Sequence, residues 1–302
     1  MYTFTSAKQL LALCKKHKTS IADITIRYEM EFTKKSREDV IAKMKRTKDV
    51  MVDAVKRGTR TSEVSAFKMA GGSALKLMKA LKDKKKRLVM PPLVIRAMAY
   101  ATATGETNSA MGRIVAFPTA GGSGVVPGVI LAAQEEWDMS EEKVLDALFV
   151  ASAIGIIVAE GATLSAAAAG CQAEVGAAVS MATAGLTELR GGTPDQALNA
   201  SALALKSYLG LACDPLGGLV AVPCIKRNMI GASAACTASD ASIIGVESFI
   251  PFDEVVWAMK NISRIMSPKI RETALGGLAV TPTGLTIRKK LGLPPLNSSE
   301  ID

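Results

Sequence analysis

Three features of the sequence predict an all-α fold. Residues 151–210 hold 17 alanines, a density that suits closely packed helices and leaves too few strand formers. Runs of alternating β-branched residues are absent. Aromatic residues make up only 4% of the 302-residue chain, against 25 glycines and 14 methionines, whereas a β-sandwich or barrel draws on Tyr, Phe and Trp. With 49% apolar and 22% charged residues, the chain can bury a sizeable core, which excludes global disorder.

Taken in order, Ile21 to about Phe32 and Ser36 to about Arg57 alternate apolar and charged positions at helical spacing. Ser36 followed by Glu38 and Asp39 is a helix N-terminus signature. Gly71-Gly72 breaks the pattern before a short helix ending near Lys82. From about Met90 to residue 250, Ala, Gly, Ser and Thr dominate a buried helical bundle. Glycine-rich breaks at 121–128, 190–193, 215–218 and 275–277 separate its helices and are expected to converge on one centre. A tail from about Lys289 through Pro294-Pro295 to Asp302 reads as extended. The composition shift near residue 90 carries no flexible linker. Residues 1–302 therefore read as one domain, with a charged cap (1–89), an alanine-rich part (90–285) and the tail (286–302).

Charge and hydropathy narrow the function classes. Residues 1–100 carry 24 Lys+Arg against 9 Asp+Glu, a net of +15, and the remainder carries a net of −6. The densest basic stretch, Lys79 to Arg87, reads as a solvated helix end and loop. No aromatic side chains interleave with its lysines to stack bases, so nucleic acid is not an expected partner. The most apolar run, Ala147 to Ala159, is thirteen residues long, short of the roughly 20 that span a bilayer. No apolar stretch with a small-residue cleavage site opens the chain. Five cysteines, an odd number without an export signal, point to a reducing compartment. The sequence thus reads as cytoplasmic, with no membrane.

A single histidine, His17, leaves a Ser-His-Asp triad, a multi-histidine zinc site and an HExxH protease without support. There is no P-loop, and Gly121-Gly122-Ser123-Gly124 lacks the preceding strand of a dinucleotide site. Three cysteines stand at helix breaks: Cys171 after Gly170, Cys213 before Asp214-Pro215, and Cys224 after Pro223. Loop amides at such breaks can stabilise thiolates turned toward a shared centre. Their spacing is no zinc ribbon and leaves two readings, buried inert thiols or three ligands of an iron–sulfur cluster with one open iron. Cys236 reads as an ordinary small core residue. The segments Glu106 to Gly112 and Pro118 to Gly128 are rich in hydroxyls and glycine; they suit either a plain turn or a backbone nest for a carboxylate or phosphate.

Four strings together resemble the iron–sulfur L-serine dehydratases. They are Gly170-Cys171-Gln172-Ala173-Glu174-Val175-Gly176, Cys213-Asp214-Pro215 through Pro223-Cys224 to Arg227-Asn228, Asn108 through Met111-Gly112 to Pro118-Thr119-Ala120-Gly121, and Glu272-Thr273 through Gly276-Gly277-Leu278-Ala279. They occur in the family's order across most of residues 20–285, and the chain resembles the alpha subunit of the two-chain form. The family usually has serine directly after the glycine of Pro-Thr-Ala-Gly; here Gly122 stands there and Ser123 follows.

The resemblance implies a [4Fe-4S] cluster held by Cys171, Cys213 and Cys224. It also implies a substrate site drawn from Asn108, Ser109, Met111, Gly112, Thr119, Ala120, Gly121, Gly122 and Ser123, and no role for Cys14 or Cys236. The implied activity is conversion of L-serine to pyruvate and ammonia, with the open iron assisting departure of the hydroxyl. The general base is unassigned in this chain. The resemblance places it on a histidine of a beta subunit, the implied partner. Pyridoxal phosphate chemistry would need a Schiff-base lysine, and none stands in a glycine-flanked setting. Two other readings stay open on sequence: a related cluster enzyme acting on another β-substituted amino acid, such as a cysteine desulfidase, and a non-catalytic binding subunit of the same fold.

Overall fold

The computed structural model describes residues 1–65 and 67–297. It is all-α, with thirteen α-helices and, among the described residues, no strand beyond one isolated bridge between Cys213 and Arg271. The charged cap comprises α1 (Ala7–His17), α2 (Ile21–Thr33), α3 (Arg37–Arg60) and α4 (Ser73–Lys82). Side-chain oxygens of Ser6, Ser20 and Ser36 accept from the backbone N–H three residues on, which starts α1, α2 and α3 where the serines stand. Thus Ser36 and the acids behind it begin a helix as the sequence predicts. The stretch Lys79 to Arg87 runs from the last turn of α4 into an exposed turn.

The central bundle comprises α5 (Pro92–Ser109), α6 (Val125–Trp137), α7 (Glu141–Gly161), α8 (Ala166–Ala169), α9 (Ala177–Leu189), α10 (Pro194–Lys206) and α11 (Cys224–Ile243). Helix α9 packs against α6, α7, α10 and α11 and is buried on every face. That burial is why its sequence is almost all small residues. A Cβ on Gly185 would stand 2.7 Å from the Ala147 carbonyl oxygen, so the two backbones approach as only glycine permits. Helix α7 is long and apolar enough to cross a membrane, but 67% of its apolar window is buried within the fold, as in a core helix. The chain closes with α12 (Phe252–Ile265) and α13 (Pro282–Lys290), and no regular element follows among residues 291–297. The far end of the tail lies outside the described residues.

Two features depart from the sequence reading. The break at 121–128 ends at Gly124: Pro127 and Gly128 lie inside the first turn of α6, where proline's missing N–H is no loss. The break at 190–193 does not join the others. It caps the far end of α9, where Gly192 packs against Thr187 and Ile243, about 20 Å along that 13-residue helix from its Ala177 end at roughly 1.5 Å per residue.

At that far end Glu188 accepts from the N–H groups of Ile21 and Ala22, both at 3.3 Å. Burial outweighs these two bonds and pushes its carboxyl up to about 7. A carboxyl raised on folding holds its proton in the folded state above the pH where the unfolded chain loses it. Its contribution is therefore complete below the ordinary carboxyl range and lost as pH climbs to about 7. The loss amounts to about 3 kcal/mol at ~1.4 kcal/mol per unit. Glu188→Gln should flatten this part of the stability profile: denaturant unfolding at pH 5 and pH 8 should differ less in the variant than in wild type. An identical pH dependence in the two proteins would dismiss Glu188 as its source.

Candidate metal centre and substrate loop

Each of the three cysteines is positioned by a different break in the bundle. Gly170, at φ 71°, turns the chain so that Cys171 opens a π-helical turn (Gln172–Gly176) leading into α9. Gln172 fixes that turn: its backbone N–H donates to Leu211 O at 3.2 Å, and its Oε1 accepts from Gly210 N at 2.9 Å. Cys213 sits on the short bridge, with its N–H donating to Ile270 O and Glu272 N donating to its carbonyl, both at 2.8 Å. Cys224 is the first residue of the 20-residue α11. The positive end of that helix's dipole favours negative charge on sulfur.

All three are buried and free of disulfides. Sulfurs of Cys171 and Cys213, with a carboxylate oxygen of Glu174, lie within 4.8 Å of one another. Cys224 is outside that tight group but within electrostatic reach of it. The Cys213 thiol donates to Cys171, and with Arg227 beside it holds Cys171 below the ordinary thiol range. Cys213 is correspondingly raised, first by giving its proton to that bond and then by burial. Burial, then the charges of Cys171 and Glu174, pushes Cys224 up to about 12. Burial likewise pushes Cys14 and Cys236 up to about 12. What sets these two apart is company: neither thiol has another cysteine or Arg227 beside it.

The surrounding side chains bind the three breaks together. Arg227 Nη2 pairs with Asp214 Oδ1 at 2.9 Å and its Nη1 donates to Ala212 O at 2.8 Å, joining α11 to the Cys213 segment. Asp214 Oδ2 in turn accepts from Leu278 N at 2.8 Å. Asn228 is 3% exposed; its Nδ2 donates to Gly121 O (2.6 Å) and Cys224 O (2.9 Å), and its Oδ1 accepts from Gly124 N (2.9 Å). It therefore clamps the 119–124 loop to the helix that carries Cys224. The loop also touches the Cys171 segment. A Cβ on Gly121 would overlap Glu174 Oε2, one on Gly122 would lie 2.6 Å from Glu174 O, and the Thr119 hydroxyl approaches the Glu174 carboxylate.

The structure thus brings Thr119, Gly121 and Gly122 against the Cys171 segment, with exposed Ala120 and buried Ser123 in the same turn. Ser123 is buried, and its hydroxyl donates to Ala120 O at 2.8 Å, closing the turn. The other predicted substrate residues stand apart. Asn108 and Ser109 end α5, where the Ser109 hydroxyl donates to Glu106 O at 3.1 Å. Met111 is 90% exposed, and Gly112 packs on Arg57 and Thr107. Among the described residues no hydrogen bond joins 108–112 to the 119–123 loop or to the cysteines. His17 ends α1, its ring 4.9 Å from that of Tyr2. The Gly71-Gly72 turn is tied in from the cap: Lys226 Nζ donates to Ser73 Oγ at 2.8 Å, and Glu106 accepts from Ser73 N at 2.7 Å.

Glu174, Asp214, Arg227 and Asn228 carry no role in the sequence reading. A signal for three of them was there. Glu174 is three residues after Cys171, and Arg227 and Asn228 are three and four after Cys224, spacings that share a helical face.

This donor set fits a thiophilic metal centre. Three buried sulfurs whose charges oppose one another have a single guanidinium among them, and a cationic iron–sulfur unit would supply the missing positive charge.

Comparison with known proteins identifies the family. The family model described as "Serine dehydratase alpha chain" matches residues 16–279. The chain is 44% identical over 297 residues to the probable L-serine dehydratase alpha chain of Bacillus subtilis (strain 168), covering 98% of each. It is 37% identical to the L-serine dehydratase alpha chain of Peptoniphilus asaccharolyticus, over 94% of this chain and 97% of that one. It is 39% identical to the L-serine dehydratase of Helicobacter pylori (strain ATCC 700392 / 26695), with 93% of this chain covering 62% of that longer protein. The chain belongs to the serine dehydratase alpha chain family.

Proposed function

We propose that this chain is the alpha subunit of an L-serine dehydratase, a lyase that converts L-serine to pyruvate and ammonia with a [4Fe-4S] cluster held by Cys171, Cys213 and Cys224. The observation that carries the reading is the convergence of three separate breaks on one buried group of sulfurs, clamped by Asn228 to a glycine-rich loop. When bound, the cluster supplies a Lewis-acidic iron that eases departure of the serine hydroxyl. The protein groups do the rest. Backbone N–H groups of the Thr119 to Ser123 loop and the Thr119 hydroxyl offer neutral donors for the substrate carboxylate, which an anionic surrounding would repel. Asn228 sets how far that loop stands from Cys224. Asn108, Ser109, Met111 and Gly112, which stand apart from this loop at the end of α5, are a second candidate substrate segment. The Asp214–Arg227 pair holds positive charge beside Cys171.

Removal of the α-proton falls to a base outside this chain, on a histidine of a beta subunit, since His17 lies with Tyr2 away from the sulfurs. The 62% coverage of the longer Helicobacter protein is what a two-chain version of one enzyme would give. Residues 1–302 act as one catalytic unit in the reducing cytoplasm, without nucleic acid or membrane. The test is anaerobic co-expression with the beta subunit, followed by pyruvate or other 2-oxo acid formation from L-serine, L-threonine and L-cysteine. Serine turnover supports the reading, and turnover of cysteine alone replaces it with a desulfidase.

Air provides a second expected outcome. An iron without a thiolate ligand is open to oxidants, so visible absorption and turnover should fade together over minutes to hours, and ferrous iron with a thiol reductant should restore both. Turnover that persists in air after the absorption has gone would contradict a role for the cluster.

A further inference from the structure

We propose that the Glu174 carboxylate is a fourth protein donor to the metal centre, an oxygen ligand beside the three cysteine sulfurs. The proposal rests on the cysteine assignment above and adds a residue to it.

Position is the first argument. A Glu174 carboxylate oxygen lies within 4.8 Å of the Cys171 and Cys213 sulfurs, and those two lie as close to each other. Glu174 follows Cys171 by three residues in the π-helical turn, so one backbone element sets both donors. The carboxylate is also held from the opposite side, because Gly121 and Gly122 pack directly on it and on its backbone carbonyl.

Charge is the second. Glu174 is only 9% exposed and, among the described residues, has no ion pair. The cation nearest the sulfurs, Arg227, is committed to Asp214 and Ala212 O. Among the described residues the side chain that approaches the Glu174 carboxylate as a donor is Thr119, whose hydroxyl stops short of a full hydrogen bond. Beside Glu174 stand the Cys171 sulfur, held low, and the carboxylate of Glu272, both of its own sign. A buried carboxylate so placed is costly unless a cation meets it. The iron that the cysteines would bind is the cation in reach.

Supply is the third. A fourth sulfur is not at hand. Cys236 lies twelve residues along α11 from Cys224, about 18 Å at the helical rise. Cys14 is beside Glu188 at the far end of α9. Oxygen is moreover a weaker donor to iron–sulfur units than thiolate, so the position it fills stays exchangeable.

The test uses the chain purified anaerobically with its partner subunit, loaded with ferrous iron and sulfide, and reduced with dithionite. Electron paramagnetic resonance spectra are recorded in ordinary water and in water enriched in oxygen-17, without serine. Glu174 bound to iron leaves no place for solvent, so the wild-type signal should not broaden. Glu174→Gln should retain its iron and show the broadening. Broadening in the wild-type protein, or its absence in an iron-replete Glu174→Gln protein, overturns the proposal. The wild-type spectrum decides even where the variant does not fold. Wild-type protein that takes up no cluster overturns the cysteine assignment, a failure distinct from that of Glu174.

Discussion

Cys171→Ser, Cys213→Ser and Cys224→Ser should each lose the visible iron–sulfur absorption and, with the beta subunit present, lower serine turnover by on the order of 10³-fold, the upper range for removing one principal electrostatic catalyst. The reason is count. Three sulfurs already leave one iron without a thiolate, and two do not hold a cuboidal cluster. Cys14→Ser and Cys236→Ala should keep both absorption and turnover. These two thiols are buried among apolar neighbours, so their replacement acts on stability, by about 1 kcal/mol for the small cavity at Cys236. Iron content, the visible spectrum and pyruvate release from the five variants separate the two groups. Full turnover in any one of the first three would remove that cysteine from the ligand set.

Gly121→Val should lower serine turnover by about 10²-fold, the scale of a misplacement near 1 Å at a reacting centre, while the three cysteines still bind iron. A Cβ at this position overlaps Glu174 Oε2, and Gly121 O is also the acceptor of the 2.6 Å bond from Asn228. The branched side chain must therefore push the loop off both the Cys171 segment and α11. Asn228→Ala should show the same pattern by the opposite route: the loop keeps its shape but loses its clamp, and the Michaelis constant rises with turnover reduced. Steady-state kinetics alongside iron analysis check both variants. Unchanged kinetics in both would place carboxylate binding elsewhere, in the 108–112 segment or on the partner subunit.

The parts of this molecule that were legible in the sequence are those set by local chemistry. Alanine density marked the buried helices, and Ser36 with its acids marked the start of α3. Cysteines next to Gly170, Asp214-Pro215 and Pro223 marked the site because each break is a short-range event. What was not legible depends on which helices meet. The glycines at 190–193 look like those at 121–124, and only the packing of α9 end to end shows that they serve opposite poles. Gly112 lies in the chain just before the glycine loop, yet it packs on Arg57 of α3 and Thr107 of α5. Pro127 and Gly128 read as a break and sit inside a helix, since the first turn tolerates both. Glu174, Arg227 and Asn228 stand one helical turn from a cysteine, and that spacing with their polar character was the notice they gave.

Whether these three cysteines hold a cluster that binds serine is read by iron-57 Mössbauer spectroscopy of the anaerobic protein with its beta subunit, before and after adding L-serine. About four irons per chain are expected in a thiolate-ligated cluster, with serine shifting the signal of one of them and leaving the others unchanged. Full serine turnover by iron-free protein, or a cluster whose irons all ignore serine, would contradict a serine-binding cluster.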